Sequence, residues 1–351
     1  MQRLGEKAGH SLTARGCTTS QRIVAAAWLA LSLVQAGAAM AAAPASIQPP
    51  IVDDTGRALP LAAPARRIVA LAPGATALLF AAGAGDRVIA TIQFADEPAA
   101  AQRVPRLGDL QSIDLERLLA LRPDVVVVTE AITSPLMVDR VRELGLPVYT
   151  TRFTRLADIA PSVARLGQLA GTGAVADREA ARLGTELARL RDTYAGRTSL
   201  TVLYQVWSHP IYTIGGSHVV TDALAICGAR NAFASERVAA PSLSVEAVLA
   251  RNPQVIVASG PGEVAKKWIA EWRRFPHLAA AAAGHLYVFD DPRLDRMGPS
   301  AIDATAGLCR ILDAARARPV SRGNSRTAVV GQTAPSSAVR SRLAARRAAC
   351  R

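Results

Sequence analysis

The chain has 351 residues and a formal net charge of +13, half of its residues are hydrophobic, and only 4% are aromatic. This length is enough for two ordinary domains, whose cores must consist largely of Ala, Leu and Val. The positive charge lies at the ends, because residues 316–351 contain nine Arg and no acidic residue, and residues 1–43 contain four basic residues and one Glu. Residues 44–315 are therefore close to neutral, which argues against a nucleic-acid partner.

The first 43 residues have the pattern of a secretory signal peptide. Basic residues precede the uncharged apolar run Ile23–Ala38, and small residues with A-x-A cleavage sites follow near Ala41–Ala43. The run is short and rich in Ala for a membrane span, although a retained anchor is the alternative. Cys17 precedes the run and so does not have the position of a lipid-anchored cysteine. We therefore predict export to the periplasm, with an N-terminal segment at residues 44–65 following the cleaved peptide.

Short apolar segments alternate with helical patterns over residues 66–173. Strands are expected in RRIVALAP, DRVIATIQF, DVVVVTE and LPVYTT, and helices in ATALLFAAGAG, in DLERLLAL and in SPLMVDRVRELG. The glycines that end the first of these helical segments are a typical stop signal. Alternation of this kind indicates a mainly parallel sheet with helices on its faces, so residues 66–173 are predicted to form an N-terminal α/β lobe.

A long helix is predicted to interrupt this alternation at residues 174–195. Its apolar side chains recur at helical spacing and form one stripe, made of Leu183, Leu187, Leu190 and Tyr194. Strands and helices alternate again over residues 196–315, which are predicted to form a C-terminal α/β lobe. The sequence therefore predicts an α/β fold of two Rossmann-like lobes with mainly parallel sheets, joined by one long bridging α-helix.

Residues 316–351 have no sustained periodicity and are rich in Ser, Arg, Gly and Pro, a composition typical of a disordered basic tail. Cys17 lies in the predicted signal peptide and Cys350 in this tail, which leaves Cys227 and Cys309 in the folded part. The sequence contains no C-x-x-C pair, so a zinc site built from thiolates is not expected. Because two cysteines in an exported domain usually pair, we predict a Cys227–Cys309 disulfide.

One sequence unit occurs twice, as Asp114–Glu130 and Ser244–Gly260, at a constant offset of 130 residues. Each copy predicts a short helix, a Pro-containing turn and a buried strand. The first residue of each copy is a predicted helix N-cap, and a carboxylate follows two residues later, at Glu116 and Glu246. Such a carboxylate stabilises a helix N-terminus by ~0.3–1 kcal/mol. Capping would be served equally by Asp or by a Glu one position away, so the identical placement leaves room for a second role.

Several separated segments resemble a known family. They include RIVALAPGATALLFAAGAGDRVIA, the two repeated units and YQVWSHPIYTIGGSHVVTDALAICGARNAF. These segments are similar to periplasmic substrate-binding proteins of ABC importers, of the type in which one rigid helix joins two lobes and the cargo is cobalamin, haem or an iron–siderophore complex. The resemblance covers residues 66–315. It is greatest to the cobalamin-binding members, whose paired cysteines correspond to Cys227 and Cys309 and whose P-x-x-T-x-G turn corresponds to PIYTIG.

This resemblance implies a partner in the inner membrane. In the family, one Glu on each lobe docks into arginine pockets of a permease dimer, and Glu116 and Glu246 match those positions. Capping and docking are compatible roles for the two carboxylates. The resemblance further implies a monomeric, non-enzymatic protein that captures a corrinoid such as cobalamin. It implies no cofactor and no bound metal, because cobalamin would be the transported ligand.

The ligand is expected between the lobes, where loops converge at the carboxyl ends of the strands. The loop Ala72–Thr76 is expected to bring its backbone close to the ligand, and aromatic side chains are expected to cover the corrin face. The residues that the resemblance assigns to the ligand are Pro73, Gly74, Phe94, Trp207, Tyr212, Asp291 and Arg296.

Some of these assignments have alternatives. Phe94 could belong to the core instead, and Arg296 could be an ordinary surface charge. Spacing alone supports Asp290 or Asp295 as well as it supports Asp291. The sequence also departs from the best-known cobalamin binders. Two of their aromatic positions are Leu110 and Ala240 here, and the P-R that ends the arginine loop is replaced by PS. A less aromatic cleft leaves the identity of the ligand open.

Three other functions remain in competition. Haem or a ferric siderophore could occupy the same scaffold, with Tyr212, His209 or His218 as an axial ligand. A bare metal ion would need three or four converging His and carboxylate side chains, but only two of the folded part's histidines are close in sequence. An enzyme with two Rossmann-like lobes is the remaining class. The sequence lacks a proper G-x-G-x-x-G, a phosphate loop and a G-x-S-x-G.

Overall fold

The structure, a computed structural model, describes residues 50–318. The described residues leave out the predicted signal peptide with Cys17 and the start of the predicted N-terminal segment. They also leave out the part of the predicted tail from residue 319 onward, which includes Cys350. The strands are β1 Ile68–Ala70, β2 Val88–Ala90, β3 Val125–Thr129, β4 Val148–Thr151, β5 Leu200–Trp207, β6 Ile211–Thr213, β7 Ala229–Asn231, β8 Ser242–Leu243, β9 Val255–Ser259 and β10 Leu286–Phe289.

The α-helices lie in the connections between these strands, except the last helix, which follows β10. They are α1 Pro73–Ala81, α2 Leu115–Ala120, α3 Pro135–Glu143, α4 Ile159–Ala170, α5 Gly173–Tyr194, α6 Val219–Ile226, α7 Val245–Arg251, α8 Gly262–Trp272, α9 Ala279–Ala282 and α10 Ala301–Ala317. Short 3-10 turns precede β2 and α4 and follow β2. Every element predicted from the sequence is present, although the strand expected in DRVIATIQF ends at Ala90.

The N-terminal sheet has the strand order β2-β1-β3-β4, and all of its strand pairs are parallel. In β3 every residue from Val125 to Thr129 is buried. Helices cover both faces of a parallel sheet, so a central strand reads as a continuous apolar run instead of an alternating one. The run VVVVT therefore takes the central position that its composition predicts.

The C-terminal sheet has the order β10-β9-β5-β6-β8, with β7 also paired to β5. The pairs β10–β9, β9–β5 and β5–β7 are parallel. The pairs β5–β6 and β6–β8 are antiparallel, because β5 turns back directly into β6. The two mostly parallel sheets with helices between their strands confirm the predicted α/β fold class.

Helix α5 begins and ends one residue earlier than predicted, and its predicted stripe is buried. These side chains belong to one hydrophobic cluster that also contains Ile68 of β1, Val202 of β5 and Leu308 of α10. Apolar packing is therefore continuous from one sheet through α5 to the other. Helix α4 also lies in the connection between β4 and β5, and the role of α5 as the single bridge stays a prediction.

Residues just before β1 are tied to the N-terminal sheet. The carboxylate of Asp54 accepts hydrogen bonds from the Arg165 guanidinium at 2.7 Å, the Ser162 hydroxyl at 2.7 Å and the Tyr149 hydroxyl at 2.9 Å. The Asp54 side chain is 1% exposed. Because a buried carboxylate needs several donors, this cluster holds the start of the described chain against β4 and α4.

The predicted disulfide is present between Cys227 and Cys309, whose Cα atoms lie 4.8 Å apart. Cys227 follows the last residue of α6 and Cys309 lies within α10, so the bond links these two helices. It joins positions 82 residues apart in the chain. Both cysteines are buried.

Candidate functional site

Residues 290–298, the stretch that follows β10, contact β5, the end of β9 and the first turn of α1. Asp295 in this stretch accepts a hydrogen bond from the Tyr204 hydroxyl of β5 at 2.9 Å and another from the Ser259 hydroxyl at the end of β9. On the N-terminal side, the backbone of Arg296 and Met297 packs against Gly74. Residues 290–298 therefore lie across the strand ends where a ligand is expected in a parallel α/β fold.

The expectation that Pro73 and Gly74 form a loop is wrong, because α1 begins at Pro73. Proline is well suited to the first helical position, since its missing N–H would have no partner there. A Cβ added to Gly74 would lie 2.6 Å from the Arg296 carbonyl oxygen. The close approach that the sequence predicts at Gly74 is thus made by the protein's own backbone.

Phe94 stands on the loop after β2, and its side chain is 70% exposed. The alternative that Phe94 belongs to the core is therefore wrong. Its backbone has a left-handed φ of 64°. The Arg106 guanidinium fixes the loop by donating to the carbonyl oxygens of Ile92 and Ala95, both at 3.0 Å. The loop thus holds a large aromatic side chain out in solvent.

A charged side chain of the same loop, Asp96, reaches the C-terminal half. Asp96 pairs with Arg106 at 3.2 Å and lies 3.9 Å from the Arg296 guanidinium. Arg296 is accordingly a partner of the N-terminal loop rather than an isolated surface charge. Both members of the Arg296–Asp96 pair are partly exposed, so solvent weakens their attraction.

Trp207 ends β5 and is 55% exposed. One side of its ring packs on the buried Trp268 of α8, with the ring centroids 5.7 Å apart. Tyr212 is the residue of β6 that pairs with Trp207, and it is half-buried. Contact between aromatic rings restrains the Trp207 side chain while leaving part of its surface free for a ligand.

A cavity of about 350 Å³ opens beside Trp207. We call it the Trp207 cavity; it is lined by Val206, Trp207, Ile214, His218, Ser259, Gly260, Pro261, Trp268 and Asp295. Of the residues predicted to contact the ligand, only Trp207 lines it. Pro73 and Gly74 lie in the first turn of α1, Phe94 on the loop after β2 and Tyr212 in β6; Asp291 and Arg296 lie in residues 290–298.

Asp295, not Asp291, faces the Trp207 cavity. The Asp291 carboxylate is bound by Arg293 of the same loop at 2.6 and 2.8 Å. Hydrogen bonding to Arg293 lowers the pKa of Asp291. Burial has the opposite effect on Asp295 and raises its pKa, against the stabilising hydrogen bonds from Ser259 and Tyr204. Spacing in the sequence does not distinguish these acids, whereas their hydrogen-bond partners do.

His218 is the N-cap residue of α6, and its Nδ1 atom accepts a hydrogen bond from the backbone N–H of Val220 at 3.2 Å. Burial lowers the pKa of His218 to about 4, so the ring is neutral at pH 7. A neutral imidazole that accepts at Nδ1 carries its proton at Nε2. His218 can therefore donate a hydrogen bond from Nε2.

Glu116 and Glu246 occupy the same place in α2 and α7, and both are exposed. The predicted caps are confirmed: the Asp114 carboxylate accepts from the Arg117 N–H at 2.9 Å, and the Ser244 hydroxyl accepts from the Ala247 N–H at 3.2 Å. Hydrogen bonds from its own backbone N–H and from Ser244 lower the pKa of Glu246. Each helix thus carries an exposed negative charge in its first turn.

Comparison with known proteins decides the family. A model of the periplasmic binding protein family matches residues 68–292, from β1 to the start of the stretch that follows β10. This chain belongs to the periplasmic binding protein family. Within residues 50–318, no helix of this binding protein is both long and apolar enough to cross a membrane, and no three His, Cys, Asp or Glu side chains are grouped so that they could hold a metal ion.

Relatives of this binding protein include a vitamin B12-binding protein of Vibrio cholerae serotype O1, strain O395. The two are 31% identical over 257 residues, which is 72% of this chain and 91% of the relative. The crystal structure of the periplasmic vitamin B12 binding protein BtuF of Vibrio cholerae is similar with a TM-score of 0.66 and 31% identity, over 72% of this chain and 98% of that one. The periplasmic heme-binding protein RhuT of Roseiflexus sp. RS-1 gives a TM-score of 0.62 and 25% identity, over 71% and 98%.

Trp268 and His218 are among the members of the Trp207 cavity that sequence reasoning did not assign to a corrinoid. Trp268 lies in the segment KKWIAEW, which only predicts an amphipathic helix, and its contact with Trp207 spans 61 positions of the chain. For His218 the sequence suggests an axial ligand of haem or one member of a histidine set for a bare metal ion. The sequence carries no clear signal for the capping role of His218, because the residues typical of an N-cap are Ser, Thr, Asp and Asn.

Proposed function

We propose that this binding protein captures a corrinoid, cobalamin or a close relative of it, between its two lobes. The observation that carries the proposal is the pair of exposed aromatic side chains at the strand ends, Phe94 and Trp207. A corrin ring presents a broad apolar face, and exposed aromatic rings are suited to cover such a face. The 31% identity to vitamin B12-binding proteins supports the same ligand.

The ligand would lie between the loop that carries Phe94 and the Trp207 cavity. Tyr212 would contact it beside Trp207, and Arg296 would contact it where it meets Asp96. Asp291 would contribute through its ion pair with Arg293. Pro73 and Gly74 would border the ligand through the first turn of α1, beside residues 296 and 297.

Delivery would go to a permease dimer of an ABC importer in the inner membrane. Glu116 and Glu246 are exposed, carry one charge per lobe, and stand in equivalent places of a repeated unit. Paired carboxylates of this kind are suited to two equivalent basic sites on a two-subunit partner. The protein would act as a monomer in the periplasm after removal of residues 1–43, and the Cys227–Cys309 disulfide fits that oxidising compartment.

Haem is the second candidate ligand, because the heme-binding protein RhuT shares 25% identity and the fold. The half-buried Tyr212 of β6 would be the axial ligand in that case. The carboxylate of Asp295 in the adjoining cavity favours the corrinoid, since haem carries two anionic propionates.

Isothermal titration calorimetry of the purified protein with cyanocobalamin, haemin and a ferric hydroxamate siderophore, together with absorbance spectra of the haemin titration, tests the proposal. We expect saturable one-to-one binding of cyanocobalamin and no saturable heat with the siderophore. A Soret band shift with haemin, together with no response to cyanocobalamin, would overturn the corrinoid assignment and leave the family unchanged.

A further inference from the structure

The polar groups of the Trp207 cavity are unusual for an arginine-rich protein. None of its nine lining residues is Lys or Arg, and its polar side chains are His218, Ser259 and Asp295. The remaining lining is glycine or apolar apart from the indole N–H groups of Trp207 and Trp268, which can donate hydrogen bonds. A ligand group that enters this cavity therefore meets one carboxyl group and no compensating cation.

Asp295 retains acceptor capacity toward the cavity. Tyr204 and Ser259 each donate one hydrogen bond to it, and they reach different carboxylate oxygens. An ionised carboxylate has about four lone-pair positions, so positions remain for a donor on the ligand. Among the described residues no cation pairs with Asp295; the neighbouring Arg296 reaches toward Asp96 instead.

His218 supplies a donor to the same cavity. Its Nδ1 atom is occupied by the Val220 N–H, which places the ring proton on Nε2. Over residues 50–318, Nε2 has no protein hydrogen-bond partner. The side-chain atoms there that are both sealed from solvent and without a partner are the hydroxyls of Tyr287 and Ser300, so Nε2 is not sealed from solvent. The Nε2–H group is therefore open to the cavity that His218 lines.

A cavity whose free acceptor is Asp295, and whose possible donors are His218 and the two indole N–H groups, matches a primary carboxamide, whose NH₂ donates and whose carbonyl oxygen accepts. A carboxylate of the same shape could accept from His218 but has no N–H to donate to Asp295, and beside an ionised Asp295 it adds a second negative charge, whose repulsion low polarity strengthens. We propose that the Trp207 cavity receives a neutral carboxamide side chain of the ligand and discriminates against a carboxylate. This inference rests on the proposed corrinoid function and gives that site a chemical selection rule.

The test uses cyanocobalamin and the complete set of isomers in which a single peripheral primary amide is hydrolysed to a carboxylate. Titration calorimetry at pH 7.5 gives the affinity of each compound for the intact protein. We expect one isomer to bind about 10-fold more weakly than the parent, because it places a like charge in the cavity. Equal affinity of the parent and every isomer would overturn the inference. Absence of binding by cyanocobalamin itself would instead overturn the proposed function.

Two variants locate the effect. Asp295→Asn keeps groups that can bond to Tyr204 and Ser259 but removes the charge, so the disfavoured isomer should recover to within about 3-fold of the parent. His218→Ser keeps an N-cap hydroxyl but removes the Nε2–H donor, so the affinity for cyanocobalamin should fall about 5-fold. The exposed His277→Ser is the matched control and should bind like the wild type. An unchanged penalty in Asp295→Asn, with circular dichroism like that of the wild type, would contradict the assignment.

Discussion

At the carboxyl ends of the N-terminal strands, Phe94 stands on a loop that Arg106 holds through backbone carbonyls. At the corresponding ends of the C-terminal strands, Trp207 lies within a strand, packs on Trp268 and borders a cavity. Side chains on packed strands are held more closely in place than side chains on surface loops. The C-terminal half should therefore fix the orientation of the ligand, while the N-terminal half covers it.

The two lobes should be equivalent only toward the membrane partner. We expect the double variant Glu116→Arg/Glu246→Arg to abolish uptake of labelled cyanocobalamin by whole cells and to leave the affinity of the purified protein unchanged. Charge reversal places cations opposite the proposed basic sites of the permease, and both carboxylates are exposed at helix starts.

Glu143→Arg, a charge reversal at the exposed end of α3, is the matched control and should preserve uptake. Each single variant should lose part of the uptake if both lobes dock. A fall in ligand affinity in the double variant would show instead that the two carboxylates act through the fold.

The disulfide lies wholly in the C-terminal half, so its removal should weaken that half selectively. Replacing both Cys227 and Cys309 with Ala frees a loop whose ends are 82 residues apart. The chain-entropy relation gives a loss of about 4.5 kcal/mol in the free energy of unfolding. Urea unfolding of the variant and of the wild type measures it. Cys350→Ala leaves the pair intact and should unfold like the wild type; equal stability of all three proteins would contradict the expectation.

His218 should make the C-terminal half sensitive to acid. Its pKa is lowered from 6.5 to about 4 by burial, so the unfolded chain binds a proton more readily than the folded protein. This contribution to stability is complete above pH 6.5 and is lost as the pH falls toward 4, by about 3 kcal/mol. His218→Ser, which retains a cap, should lose less stability than the wild type between pH 6.5 and pH 4 in urea titrations. An identical pH dependence in the two proteins would be inconsistent with a buried neutral His218.

The smallest expected effect is the difference in ligand affinity between loss of Trp207 and loss of Phe94. Trp207→Ala should weaken cyanocobalamin binding about 30-fold, as expected for a restrained aromatic anchor, and Phe94→Ala only about 5-fold. Leu136→Ala, at an exposed apolar position in α3, serves as the control and should not change the affinity. A larger loss for Phe94→Ala, measured by calorimetry, would reverse the assignment of roles to the two lobes.

Local patterns were sufficient for most of the fold. The caps at Asp114 and Ser244 and the stripe on α5 depend on residues a few positions apart, and the structure has them where the sequence predicts them. The sequence placed Pro73 and Gly74 in a loop because a Pro-Gly step often ends regular structure. In the structure both residues belong to α1. Proline is suited to its first position, and glycine leaves room for the Arg296 carbonyl oxygen.

By itself the sequence determined the alternation of strands and helices, the burial of central runs such as Val125–Thr129, and the choice of Cys227 and Cys309 as partners. Only the tertiary structure decided which acid faces the cavity, because Asp295 is fixed by Tyr204, 91 positions away in the chain. Periodicity and capping act over one or two helical turns and are therefore written in local sequence. A cavity is assembled from several elements, and its chemistry depends on which side chains packing leaves open.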